Sequence, residues 1–293
     1  MAGGRALAAA GDDKKVRVYR LREETGRFEL LQTLDDAGGT LSVAMAGEGR
    51  ALAAAGDDEK VRVYRLREET GRFELLQTLD DAGDWLRSVA MAGRALATAG
   101  DDKKVRVYRL REETGRFELL QTLDDAGGRI WSVAMVWEGR ALAAAGDDKK
   151  VRVYRLREET GRFELLQTLD DAGGCIWSVA MAGEGRALAT AGDDKKVRVY
   201  RLREETGRFE LLQTLDDAGG CLWSVAMAGE GRALATAGDD RKVRVYRLRE
   251  ETGRFELLQT LDDAGGRLRS VAMAGEGRAL AAAGADEKVR VYR

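Results

Sequence analysis

Residues 139–156 read GRALAAAGDDKKVRVYRL. A run of small apolar side chains leads into an acidic Gly-Asp-Asp turn, and an alternation of β-branched and basic residues leads out. Val151 and Val153 flank Arg152 and are followed by Tyr154, the period of two expected of a strand. Gly146-Asp147-Asp148 stands between two apolar runs, where a hairpin turn belongs. The competing reading is helical, since the Ala-rich RALAAAG and the Glu/Leu-rich segments nearby tolerate a helix. The rest of the repeating unit decides between them.

The string VRVYR begins at Val16, Val61, Val105, Val151, Val197, Val243 and Val289, at spacings of 45, 44, 46, 46, 46 and 46 residues. A period of this length fits either helical pairs or four-stranded units. Outward from Leu156, Glu158-Glu159-Thr160-Gly161 makes a second turn, before the run from Phe163 to Leu169. Asp170-Asp171-Ala172-Gly173-Gly174 makes a third, before Ile176 to Met181, and Gly183-Glu184-Gly185 a fourth, before Ala187 to Ala191. Four short runs and four turns describe an antiparallel meander. We label its strands by type: a is SVAM with its lead-in, b is RALAAAG, c is VRVYR and d is FELLQTL. Thin Ala/Ser-rich a and b strands beside bulkier c and d strands suit sheets packed radially, with a and b crowded at the centre. Repeats fill the chain, so residues 1–293 are expected to form one domain.

In order and spacing, LLQTLDDAGGCIWSVAMAGEGRALATAGDDKKVRVYRL (residues 165–202) resembles the WD40 repeat family, with its pattern LxxH, VxSVAFSPDG, LASGSDDxTVRVW. The resemblance implies an all-β fold, a β-propeller of four-stranded antiparallel blades, acting as a binding platform. Departures are consistent from copy to copy. The Trp-Asp dipeptide is Tyr154-Arg155 here, and Asp-Asp-Ala-Gly replaces the Gly-His pair in a chain without histidine. The family's Trp, Ser/Thr, His, Asp tetrad is therefore incomplete. Asp148 and its equivalents match the Asp, and Thr98, Thr190 and Thr236 match the Ser/Thr, while Ala9, Ala54, Ala144 and Ala282 stand there in other copies. Stability is expected to come from packing and sheet hydrogen bonds more than from such a network.

Seven b and seven c strands stand against six a and six d strands. Seven blades are favoured, the first lacking a and the last lacking d. Six blades with a spare hairpin, or a ring completed between chains, are the alternatives. Exposed edges at the seam make a homo-oligomer through unpaired terminal strands an expected partner mode.

Formal net charge is −2, with 49 basic and 51 acidic residues mixed at short range, so neither nucleic acid nor a membrane surface is an expected partner. No stretch is long and apolar enough for a membrane helix, and no secretory leader is legible, which makes a cytoplasmic location the default. Cys175 and Cys221 occupy the same place in successive repeats, without a metal-ligand spacing or an adjacent base. The Asp-Asp pairs, from Asp12-Asp13 to Asp239-Asp240, read as turn chemistry, and Ala285-Asp286 shows a copy without the first carboxylate. No cofactor, metal or catalysis is expected.

The copies differ at few places. One is the lead-in to strand a: Thr40; Asp84, Trp85 and Arg87; Arg129 and Trp131; Cys175 and Trp177; Cys221 and Trp223; Arg267 and Arg269. Another is the b–c turn, with Lys14, Glu59, Lys103, Lys149, Lys195, Arg241 and Glu287. In a meander the d–a and b–c connections share one end of the blade, so both variable sites fall on one rim. Val136 and Trp137 are a lone exception at the other. Trp and Arg are enriched at interface hot spots. The expected function is a non-catalytic scaffold presenting Trp85, Arg87, Arg129, Trp131, Trp177, Trp223, Arg267, Arg269, Lys149, Lys195 and Arg241 to a protein or peptide. Two alternatives stay open: the tryptophans pack between blades, or the chain is a designed or consensus-like repeat scaffold without a ligand.

Overall fold

A computed structural model describes residues 5–11, 13–46 and 49–292; Asp12 and the Trp137 side chain lie outside the described residues. Its strands form seven antiparallel sheets. The first is β1 (Ala6–Ala10), β2 (Val16–Arg22) and β3 (Arg27–Leu34); the last is β24 (Leu268–Ala274), β25 (Ala279–Gly284) and β26 (Val289–Tyr292). Between them, β4 (Thr40–Ala46) to β23 (Arg254–Leu261) make five four-stranded sheets. The architecture is a seven-bladed β-propeller in which, among the described residues, blade 1 has no strand a and blade 7 no strand d, as strand counting favours.

Blade 4 shows how the sequence builds each sheet. Its order is β12 (Ile130–Val136), β13 (Ala141–Gly146), β14 (Val151–Arg157) and β15 (Arg162–Leu169). Ala143 pairs with Val153 and Ala145 with Val151, so the small residues of strand b sit opposite the bulky ones of strand c. Each strand a packs on the strand a of the next blade, which places these strands innermost. Two turn glycines have separate conformational reasons. Gly161 takes φ +65° in the c–d turn, a left-handed conformation that favours glycine there. A Cβ on Gly146 would lie 1.8 Å from the Arg129 carbonyl oxygen, because the lead-in crosses strand b there.

Apolar cores lie between blades, not within them. Between blades 5 and 6, Ala189, Ala191, Val197, Val199 and Leu215 meet Leu222, Val225, Leu234, Tyr246 and Phe255. Leu142, Leu188 and Leu234 are fully buried at equivalent places, each contributing about 1.5–3 kcal/mol through burial. Two hydrogen-bonded clasps frame each of the four cores between blades 2 and 6. At the centre, the Val179 amide donates to Ser132 Oγ of the previous blade at 3.1 Å. At the outside, Gln167 Nε2 donates to the Phe209 carbonyl at 3.0 Å, while the Phe209 amide donates to Gln167 Oε1 at 2.7 Å. The same outer clasp joins Gln32 to Phe73, Gln77 to Phe117, Gln121 to Phe163 and Gln213 to Phe255.

A different polar network stands where the family's tetrad is incomplete. Tyr154 donates its hydroxyl to Asp125 of the d–a turn. Arg152, itself buried, pairs through Nη1 with Asp148 Oδ2 at 2.7 Å, and the same oxygen accepts from the Gly127 amide at 3.0 Å. Tyrosine thus stands in the Trp position, an aspartate from DDAG in the histidine position, and arginine balances two carboxylates. Tyr64, Tyr108, Tyr200 and Tyr246 repeat the hydroxyl–carboxylate bond with Asp36, Asp81, Asp171 and Asp217. Burial, then the carboxylate beside it, pushes each of these phenols well above its ordinary value. The threonines at the tetrad position are not its centre: Thr98 and Thr236 bury hydroxyls with no partner among the described residues.

Candidate functional site

The lead-in to strand a carries a β-bulge. Ile130 pairs with Gly146 and Ser132 with Ala145, leaving Trp131 as the extra residue. A bulge of this kind re-aims one side chain out of the sheet's alternation. Trp177 and Trp223 hold the same position, and Arg87 and Arg269 hold it in blades 3 and 7.

The strand-a starts are neighbours around the ring, so these side chains meet. Trp131 and Trp177 have ring centroids 4.7 Å apart with planes at 59°; Trp177 and Trp223 are also 4.7 Å apart, at 38°. Such tilted pairs contribute about 0.5–1.5 kcal/mol each beyond area burial. The Arg87 guanidinium lies 4.9 Å from the Trp85 ring and 4.7 Å from Trp131, and Arg269 lies 4.3 Å from Trp223. Six of the expected site residues therefore form one arc: Trp85, Arg87, Trp131, Trp177, Trp223 and Arg269. The three central indoles are half-buried, while Trp85 is 45% exposed.

Carboxylates of the b–c turn fix the arc from behind. Trp131 Nε1 donates to Asp147 Oδ1 at 2.5 Å, Trp177 to Asp193 at 2.5 Å and Trp223 to Asp239 at 2.7 Å. The two aspartates of each pair have separate tasks. Asp148 Oδ1 caps its own turn by accepting from the Lys150 amide at 3.2 Å, as turn chemistry requires, while Asp147 orients the indole. Where arginine replaces tryptophan, the first aspartate decides its fate. Arg87 makes a two-pronged bond to Asp101, at 2.8 and 2.7 Å, which lowers the Asp101 pKa. Blade 7 has Ala285 at that place, and its Arg269 is left stacked on Trp223.

The other expected residues surround the arc. Arg129 is exposed and acts on Asp101 of the preceding blade; Arg267, also exposed, stands 3.6 Å from Asp239. Lys149, Lys195 and Arg241 project from the b–c turns at φ 63°, 63° and 65°. They share the arc's end of the molecule without joining its ring contacts. Cys175 and Cys221 are half-buried free thiols beside the Asp147 and Asp193 carbonyls, and burial, then the neighbouring aspartates, pushes their pKa up. Among the described residues no group of three or more Cys, Asp or Glu is placed to hold a metal ion, and no helix is long and apolar enough to cross a membrane.

Sequence reasoning missed the aspartates behind the indoles. The available signal was Ala285, the one lost first aspartate, coinciding with a blade without tryptophan.

No curated protein matches the chain. The family model described as WD domain, G-beta repeat matches residues 117–155, 163–201 and 209–247. Each match opens on a strand d and closes on the strand c of the next blade, and the three contain Trp131, Trp177 and Trp223. Repeat register and ring architecture agree: the three matched stretches are WD40 repeats, set within a seven-bladed β-propeller.

Proposed function

We propose that the protein is a non-catalytic interaction scaffold whose Trp/Arg arc binds a protein or peptide partner. WD40 propellers are in general interaction scaffolds, and the finer reading rests on one observation. Side chains that vary from copy to copy converge into a continuous half-exposed arc of indoles closed by a guanidinium at each end. Rigid aromatic rings and planar guanidiniums supply contact area at low entropic cost. Arg129, Arg267, Lys149, Lys195 and Arg241 stand around the arc among the aspartates of the b–c and d–a turns, so the rim offers groups of both signs, and the overall charge of −2 favours neither nucleic acid nor anionic lipid. Two free thiols fit a reducing, cytoplasmic setting.

Panning a displayed random-peptide library tests this. Peptides enriched on the unaltered chain should lose binding to a Trp177→Ala, Arg269→Ala variant; enrichment that ignores the substitutions would contradict the proposal.

A second reading has its own observation. Every central indole already spends its N–H on an internal aspartate and its ring on a neighbour. That suits an inter-blade staple in a designed or consensus-like scaffold without a ligand. On this reading Trp177→Ala mainly lowers the melting temperature, and no peptide is enriched.

A further inference from the structure

The copies also differ in length at one turn. Blades 5, 6 and 7 join strands a and b through Gly-Glu-Gly, but blade 3 runs Met91-Ala92-Gly93-Arg94, two residues shorter. In the longer turns the second glycine has a fixed place. A Cβ on Gly185, Gly231 or Gly277 would lie 3.0, 2.6 or 2.7 Å from Ala141, Ala187 or Ala233, which opens strand b of the preceding blade. The same Cβ would lie 3.7, 3.7 or 3.4 Å from the methyl of its own blade's Met181, Met227 or Met273. The glycine therefore plugs the space between an alanine of one blade and a methionine of the next, and no larger residue fits there.

Blade 3 has no such plug. Ala51 of blade 2, the alanine it would cover, is only partly buried, whereas Ala141, Ala187 and Ala233 are 4%, 5% and 7% exposed. A cavity of about 500 Å³ opens at this place between blades 2 and 3, with Ala51, Met91 and Gly93 in its wall. Its floor is apolar, because Leu76, Leu110 and Phe117 belong to the core between these blades. The mouth is charged. Arg50 pairs with Glu68 at 3.4 Å and Arg67 with Glu74 at 2.9 Å. Arg65 stands directly opposite Ala51 in the strand register and makes no ion pair among the described residues. Glu69 is exposed on the c–d turn, so three guanidiniums face two carboxylates around the opening.

We propose that this cavity is a binding site for a small amphipathic carboxylate. The apolar body of the ligand takes the space that the missing Glu-Gly leaves, against Met91, Leu110 and Phe117. Its carboxylate meets Arg65, the guanidinium that stands at the uncovered alanine and has no acid of its own; a planar guanidinium is suited to hold a carboxylate by two parallel hydrogen bonds. The volume lies within the range of about 300–1,000 Å³ typical of small-molecule sites, and an apolar floor with one placed charge is their usual chemistry. The site belongs to the rim of the a–b and c–d turns, opposite the Trp/Arg arc, so it stands apart from the arc and its partner.

The probe is decanoate, titrated into the full chain by calorimetry below its micellar range. It should bind saturably at one site. Inserting Glu-Gly between Gly93 and Arg94 gives blade 3 the turn of blades 5 to 7, and should abolish that binding while leaving the circular dichroism unchanged. Arg65→Gln, at an exposed position outside any ion pair, should keep the melting temperature and weaken decanoate by about tenfold or more. Decyltrimethylammonium, with the same chain and the opposite charge, should bind weakly by comparison. Absence of saturable binding overturns the proposal, as does binding that survives the insertion or Arg65→Gln. Equal or tighter binding of the cation overturns it too, because the charge at the mouth would then favour Glu69 over Arg65.

Discussion

Tyr154 shows how a lost residue is replaced. Its phenol reaches Asp125 because Arg152 neutralises the carboxylates around it. Tyr154→Phe should therefore cost about 1.5–3 kcal/mol in urea unfolding, the range for a hydrogen bond to a charged group. Thr98→Ala should cost nothing, because its hydroxyl is buried without a partner and four other copies carry alanine. The same network sets the pH limits. Burial alone would raise the pKa of Asp194 and Asp240, but backbone amides and Arg198 or Arg244 outweigh it and hold both carboxyls low. Asp286 falls to about 2 through its bond to Arg290. With depressed folded values, these groups contribute stability that is whole above about pH 4 and lost as pH falls towards about 2. The buried phenols have raised values, so their contribution is whole below about pH 10 and lost as pH climbs beyond it. A urea midpoint flat across both windows would contradict this assignment. Little of the network was legible in the sequence. The missing histidine was visible, but the carboxylate that replaces it lies 29 residues upstream of the tyrosine that it binds.

At the scale of the element, the strands were legible because alternation and turn residues agree. Val151, Arg152 and Val153 leave no helical face, and the Gly146 and Gly161 turns punctuate the runs. The bulge at Trp131 was not legible, since one extra residue in a strand has no composition of its own. Nor were the clasps, whose glutamine and phenylalanine lie on different blades. The chain carries its own control for them. Gln167→Ala removes the bonds to both backbone groups of Phe209 and should cost about 1–3 kcal/mol, whereas Gln259→Ala, in the same sequence context, should cost close to zero. Equal losses, measured by denaturant midpoint, would show that the clasp contributes nothing. At the b–c turn, Lys149 holds φ 63° without being glycine. Lys149→Gly should stabilise by about 0.5–1 kcal/mol, raising the midpoint without altering the strands.

At the scale of the whole molecule, counting strands was enough to favour seven blades and to place the incomplete ones first and last. It could not show that the variable side chains touch one another, because that depends on how closely the innermost strands approach. Six apolar cores among seven sheets make a definite claim about where the ring is weakest. Residues 243–246 and 289–292 are both VRVY, each preceded by lysine, so their intrinsic amide exchange rates match and any difference is structural. Native-state hydrogen exchange resolved to these two segments tests the claim directly. The account predicts that the amides of Val289 and Val291 exchange far faster than those of Val243 and Val245, which face the neighbouring strand d of blade 6. Equal protection in the two segments would contradict it.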